Sequence, residues 1–238
     1  MPGFQVRLAG LCIEIHSVYE RVQKMVKDYC TEAQAPDITV SISDEDIAYE
    51  LRLSPDDRPA TLETLAVCRK ISEQMPKHDT LLMHGAVVAT GGQAYMFTAP
   101  SGTGKTTHIR KWVRGLPDAF VGNGDKPFIT TDGERPMACG SPWCGKEGWQ
   151  TNTMVPLAAI VLMERAEDNE IREVSFKEAF PTLLRQTYRP ADTENFMKTL
   201  RLLKSLDGRV RFYAFRFNNL KEDAFPVAYH ELVEKRQP

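Results

Sequence analysis

Residues 99 to 107 read APSGTGKTT, so Ser101, Gly102, Thr103, Gly104, Lys105, Thr106 and Thr107 follow one another without a bulky side chain. Glycines at 102 and 104 open backbone angles closed to other residues, which lets successive N–H groups turn toward one point. The apolar run AYMFTA precedes this stretch and THIRKWV, with helical spacing, follows it. A strand, a glycine turn and a helix N-terminus in that order form the setting of a phosphate-binding loop, where the helix dipole adds to the N–H groups. In this reading Lys105 reaches the β and γ phosphates of a nucleoside triphosphate. The Thr106 hydroxyl completes a magnesium shell and Thr107 contacts an inner phosphate. The strict pattern has glycine where this chain has Ala99, a small residue that the turn can absorb.

Further candidates lie on either side. Asp125 follows an apolar stretch, Ala119 to Val121, and a Gly-Asn-Gly turn. There an acid can ligate magnesium, accept the proton of an attacking hydroxyl, or do both in sequence. The alternative is an aspartate that caps the turn, since Gly-Asn-Gly-Asp is also good turn chemistry. His84 sits in the apolar run LLMHGAVV and by itself reads as a core residue. Lys126, Arg135, Lys146 and Arg189 are cations able to clamp a transferring phosphoryl group. Lys146 ranks first among them, because Gly140-Ser141-Pro142-Trp143 and Gly145 shape a tight loop beside it. Trp143 and Trp149 are suited to wall a substrate pocket, and burial alone explains them as well.

The elements that must carry these residues are legible in outline. FQVRLAG, LCIEIHS and ITVSIS read as strands, with Asp44 and Asp46 ending the third; helical spacing covers Val18 to Tyr29 and Thr61 to Glu73, with Pro76 as a stop. LLMHGAVVAT reads as one buried strand joined by Gly91-Gly92 to AYMFTA, a hairpin feeding the glycine loop. PLAAIVLM is the most apolar strand; helices over 175–187 and 191–206 precede the strand RVRFYAFRF and a last helix with Pro226 in its first turn. The expected fold is α/β, a mixed-sheet core over 80–238 preceded by a small α/β segment over 1–79.

Length, 238 residues, accommodates one large domain or a core with an added layer. A formal net charge of −2, with Lys and Arg scattered, lacks the footprint of a nucleic-acid binder. No leader-like opening and no long apolar window is present, so a cytoplasmic protein without membrane association is expected. Five cysteines without a CxxC pair are expected to be free thiols, with Cys139 and Cys144 able to face each other across the turn at Ser141 and Pro142.

At SGTGKTT, preceded by LLMHGAVV and followed by GNGDKPF, the chain resembles the catalytic domain of HPr kinase/phosphorylase and its kinase relatives, and the loop resembles that of phosphoenolpyruvate carboxykinases. GSPWCGKE is similar to a stretch in bacterial relatives with the same loop. The resemblance implies a P-loop sheet core in which His84 pairs with Asp125 and phosphate is moved to a serine hydroxyl. Those relatives carry two adjacent aspartates where this chain reads Asn123-Gly124-Asp125, which puts phosphorolysis in doubt. The expectation is a kinase using ATP (or GTP) and Mg2+ on a hydroxyl of a small metabolite or of a protein or peptide serine, with a homo-oligomer possible. A nucleotide-binding switch with little catalysis is the alternative. Carboxykinase chemistry is disfavoured, since the chain lacks the length for an oxaloacetate-binding domain.

Overall fold

The computed structural model describes residues 3–236. β1 (Phe4–Leu8) and β2 (Leu11–His16) form an antiparallel hairpin through Ala9 and Gly10, both at positive φ, and β3 (Ile38–Ser41) adds in parallel to β2. The expected helix over Val18 to Tyr29 is shorter, α1 (Glu20–Met25) followed by a single 3-10 turn at Lys27–Tyr29. Its start is delayed because the Glu63 carboxylate accepts from the amides of Val18 (2.5 Å) and Tyr19 (2.9 Å), which holds Tyr19 extended. Asp44 and Asp46 do not merely end β3. They open α2 (Asp44–Leu53), where Ser43 and Asp46 form a reciprocal capping box. α3 (Pro59–Gln74) runs on into a 3-10 turn at Met75–His78. Val67 and Ile71 of α3 bury against Ile13, Ile15 and Val40, and the same apolar cluster takes in Leu82, Phe128, Cys139 and Trp143 from later in the chain.

The remaining strands form a nine-stranded mixed sheet: β4 (Thr80–Leu82), β5 (Ala86–Thr90), β6 (Gln93–Thr98), β7 (Phe120–Asn123), β8 (Phe128–Thr130), β9 (Met137–Cys139), β10 (Met154–Arg165), β11 (Glu170–Val174) and β12 (Arg211–Phe217). The order is β4-β8-β9-β10-β6-β5-β7, with β12 paired to β10 and β11 to β12. β10 is parallel to β6 and β12; the other pairs are antiparallel. β10 reads as a continuous apolar run because both faces are covered. Val161, with Phe97 and Phe215, packs under α4 (Lys105–Gly115) and α7 (Ala224–Leu232). Ile160, with Met96 and Phe212, packs under α5 (Phe176–Gln186) and α6 (Thr193–Ser205). The fold is the expected α/β type with a large mixed sheet and helices.

LLMHGAVVAT is not one strand: it breaks after Leu82 and resumes at Ala86. The backbone between changes partners at every step, as Met83 N–H donates to Pro127 O (3.1 Å), His84 N–H to Gln186 O (2.7 Å) and Gly85 N–H to Asp125 O (2.8 Å). The backbone passes close to β6 here: a side chain at Gly85 would meet Met96 Cε at 2.5 Å and Phe97 O at 3.0 Å. β9 and β11 are further strands not anticipated from the sequence.

Candidate nucleotide site

The glycine loop leaves β6, whose neighbour on one side is β10, and enters α4 at Lys105. Gly102 has φ +76° and Gly104 φ +121°. At Gly104 the backbone angle favours glycine, and a Cβ would in addition stand 2.8 Å from Asn219 Nδ2 and displace that amide. The carbonyls on the outer side of the loop are fastened. Arg165, the last residue of β10, donates Nε to Thr103 O (3.0 Å) and Nη2 to Gly102 O (2.5 Å), and Asn219 Nδ2 donates to Gly104 O (3.1 Å). With those carbonyls held outward and no side chain capping α4, the N–H groups at the start of the helix remain available to an anion.

Lys105 is only 7% exposed. Its ammonium donates to Ala99 O (2.8 Å) and Pro100 O (3.3 Å) and lies 3.2 Å from His84 Nε2. Burial lowers its pKa from the usual lysine value, against the opposing charge of Asp125. Thr103 is placed differently from its loop neighbours. Its hydroxyl (2.8 Å) and amide (3.4 Å) both turn back to Pro100 O, and it lines a shallow depression beside Glu164 and Arg165 rather than the cleft.

His84 and Asp125 come together across the break between β4 and β5. His84 Nε2 is 3.3 Å from Asp125 Oδ1, while His84 Nδ1 is 2.6 Å from Gln186 Oε1. Thr98 donates its hydroxyl to His84 O (2.7 Å), fixing the backbone from below. Burial pushes the Asp125 carboxyl up, but the hydrogen bond from His84 and the charges of Lys126, His84 and Lys105 outweigh it and hold the group below the ordinary aspartate value. Asn123 is a buried strut. Its Nδ2 donates to Ser141 O (2.9 Å), and its Oδ1 accepts from the amides of Asp125 (2.8 Å) and Lys126 (2.7 Å).

These groups open onto a cleft of about 680 Å³ lined by His84, Ser101, Gly102, Gly104, Lys105, Thr106, Thr107 and Asp125 on the loop side. Facing them is the segment Cys144 to Glu147 with Trp149, and Arg110 lines the cleft from α4 one turn beyond Thr106. Gly145, at φ +78°, brings this segment against Asp125: a Cβ there would lie 3.3 Å from that of the aspartate. Lys146 is exposed on the cleft rim. Arg110 stacks 5.0 Å over the Trp149 ring and pairs with Glu147 at 3.6 Å, which closes the far end.

Other candidates fall elsewhere. Trp143 belongs to the core: its Nε1 donates to Thr64 O (2.9 Å) and its ring packs edge-on against Phe128. Arg135 lines a separate pocket with Gln93 and Arg209, and Lys126 and Arg189 lie on the far side of His84 from the cleft. Cys139 and Cys144 are both free, and burial pushes the Cys139 thiol up to about 12. Sequence reading missed Arg110, Glu147, Arg165, Gln186 and Asn219. Only Arg110 carried a signal, lying on the exposed side of the helix that begins at Lys105, one turn beyond Thr106.

Among the described residues no helix is long and apolar enough to cross a membrane. No family model matches the chain. No curated protein matches it. Among solved structures, it is similar to the Hpr(Ser) kinase/phosphatase from Coxiella burnetii at 9% sequence identity and a TM-score of 0.40, over 66% of this chain and 99% of that one.

Proposed function

We propose that the protein is an ATP- and magnesium-dependent kinase that transfers the γ-phosphate to a hydroxyl, of a small metabolite or of a protein or peptide serine. The observation that carries this reading is the approach of His84 Nε2 to Asp125 Oδ1 at 3.3 Å, beside Lys105 and on the wall facing the start of α4. A site built only to hold magnesium-nucleotide needs the loop, the lysine and an acid for the metal; a histidine that orients that acid beside the lysine is what favours transfer.

The triphosphate lies along the N–H groups from Gly102 to Thr106, with Lys105 released from its loop carbonyls to the β and γ phosphates. The Thr106 hydroxyl and the Asp125 carboxylate are hard oxygen donors of the type magnesium takes when phosphate oxygens and water fill the rest of its shell. An ion held by these two residues would neutralise charge on the phosphates. The acceptor oxygen forms a bond to the γ-phosphorus as the bond to the β–γ bridging oxygen breaks; the nucleoside diphosphate leaves with that electron pair, and the acceptor proton passes to Asp125. The acid is held ionised by His84 and the neighbouring cations, so it is ready to accept. Phosphoryl transfer asks more for position than for base strength, which suits an acid whose pKa is depressed.

The single carboxylate at 125, beside the strut Asn123, favours a second reading, a nucleotide-dependent switch with little turnover. The separating experiment is incubation with γ-labelled ATP, Mg2+ and a cell extract. Label on an acceptor supports the kinase; nucleotide binding without transfer supports the switch.

A further inference from the structure

His84 has two sides. One faces the nucleotide cleft, and the other lines a second depression of about 350 Å³ together with Met83, Lys126, Arg185, Tyr188 and Arg189. The two hollows share no other residue, so His84 is the partition between them, with Asp125 on one side and the next residue, Lys126, on the other. We propose that the second depression is the acceptor subsite, and that the acceptor is a small organic anion whose carboxylate or phosphate is held by Lys126, Arg185 and Arg189 while its hydroxyl reaches past His84 to the γ-phosphate. This rests on the kinase reading and names the substrate class it leaves open.

Charge and origin carry the argument. The three cations come from separate stretches of chain: Lys126 from the turn after β7, Arg185 from the last turn of α5, and Arg189 from the extended segment beyond it. A bridge between Met83 and Thr187 fastens that segment beside β4, and Tyr188 N–H donates to Leu82 O at 2.8 Å. No acidic residue lines the depression, and among the described residues none of the three cations forms an ion pair; Arg185 donates only to the Thr182 hydroxyl (3.1 Å). A cation in the last turn of a helix is ordinary complement to its dipole. That accounts for Arg185 and for neither of the others. Lys126 also feels the Asp125 carboxylate on the cleft side, whereas Arg185 and Arg189 have no acid lining the depression with them; like charges so gathered repel one another, and an anion among them removes that repulsion. The volume lies at the small end of ligand pockets and about half that of the nucleotide cleft, which suits a small hydroxylated acid rather than a folded protein loop.

The test divides a low-molecular-weight cell extract by anion exchange into an anionic fraction and a neutral-plus-cationic fraction, keeps the macromolecules as a third, and gives each to the protein with γ-labelled ATP and Mg2+. Label is expected in the anionic fraction, on a carboxylate- or phosphate-bearing compound that chromatography then identifies. Label confined to the neutral or macromolecular fraction overturns the inference and leaves the kinase reading standing. Absence of label in all three, with ATP bound, overturns both. For the compound so identified, Arg185→Gln/Arg189→Gln is expected to raise its KM by roughly tenfold or more, the scale of one lost charge-assisted contact. Nucleotide affinity is expected to stay within about twofold, since neither arginine lines the cleft. An acceptor KM equal to wild type overturns the assignment of these arginines and with it the subsite.

Discussion

Lys105 Nζ lies 3.2 Å from His84 Nε2, the same ring nitrogen that stands 3.3 Å from Asp125 Oδ1. One nitrogen cannot serve both partners. With its lone pair at Nε2 the ring accepts from the lysine, and with a proton there it donates to the aspartate. A phosphate that draws Lys105 away therefore favours the tautomer in which Nε2 donates to Asp125; Nδ1, which faces Gln186 Oε1 at 2.6 Å, then accepts from the Gln186 amide nitrogen once that side chain turns over, coupling loop occupancy to the orientation of the acid.

Asp125→Asn keeps size and part of the hydrogen bonding and removes the carboxylate charge. Transfer is expected to fall by roughly 100-fold or more, the scale of losing a general base, while magnesium-nucleotide still binds, more weakly in proportion to the lost carboxylate charge on the metal. Nucleotide affinity by calorimetry and labelled transfer with the true acceptor check this; transfer at wild-type rate removes Asp125 from the chemistry.

Lys105→Ala behaves otherwise, because the same charge serves binding and transfer. Both are expected to fall, nucleotide affinity by about tenfold to a hundredfold for one lost charge-assisted contact. The variant should fold, since the partners of the ammonium are mainly loop carbonyls that water can reach once the side chain is gone. Circular dichroism at matched temperature separates a misfolded variant from a site defect.

Gly104→Ala is expected to cost about 1–3 kcal/mol, the scale of a non-glycine residue held at an unfavourable φ. Part of that is collision with Asn219, so Gly104→Ala made together with Asn219→Ala should recover some stability and none of the backbone strain. Denaturant unfolding of the two single variants and the double variant measures the coupling. Purely additive effects would show that the collision relaxes at no cost.

His108 links stability to pH. It is fully buried among Phe97, Trp112 and Phe215, and its Nε2 accepts from Trp112 Nε1 at 3.0 Å. Burial, with the charge of Lys111 adding, lowers its pKa from 6.5 to about 3. The unfolded chain then binds the extra proton first as pH falls, so the stabilising difference is present above 6.5 and is lost progressively between 6.5 and about 3. The slope is about 1.4 kcal/mol per pH unit. His108→Gln keeps an acceptor for Trp112 and has no proton to take up. Urea unfolding at pH 6.5, 5.5 and 4.5 should show a shallower loss in the variant; parallel curves would mean that His108 charges without resistance.

The glycine loop, the hairpin and the apolar central strand were legible because each is a local pattern. Gly91 and Gly92 take the positive φ values, 57° and 70°, that the hairpin turn demands. The break at Met83 to Gly85 was not legible. β4 and β5 are both buried on every side chain, so hydrophobicity shows no change where the strand leaves β8 for β6. α2 carries a weak apolar stripe, and its start lay in the reciprocal bonds of Ser43 and Asp46, which read equally well as a strand end. β11, EIREV, is a short strand at the sheet margin with charged residues facing water, and periodicity cannot separate it from a loop. At the site, the pairing of His84 with Asp125 was anticipated from family resemblance. Gln186 and Arg165 reach the site only through contacts between residues far apart in sequence, which spacing along the chain does not encode.

β10 has a consequence for the kinetics of folding. Its first residues, Met154 to Pro156, zip antiparallel onto β9, and the rest lies parallel between β6 and β12, with Leu162 beside Thr98 and Arg165 beside Phe217. The β4-β8-β9 and β6-β5-β7 parts of the large sheet, and β12, are joined through this strand, which must find partners from both earlier and later sequence. Each such pairing must close a long loop before any contact repays the entropy. The chain should accordingly belong to the slow class, folding in milliseconds to seconds or longer, with a rate set by the docking of β10 rather than by the helices around it. Arg165 closes that strand and grips the glycine loop, so the phosphate cradle is assembled only once this slow step is complete.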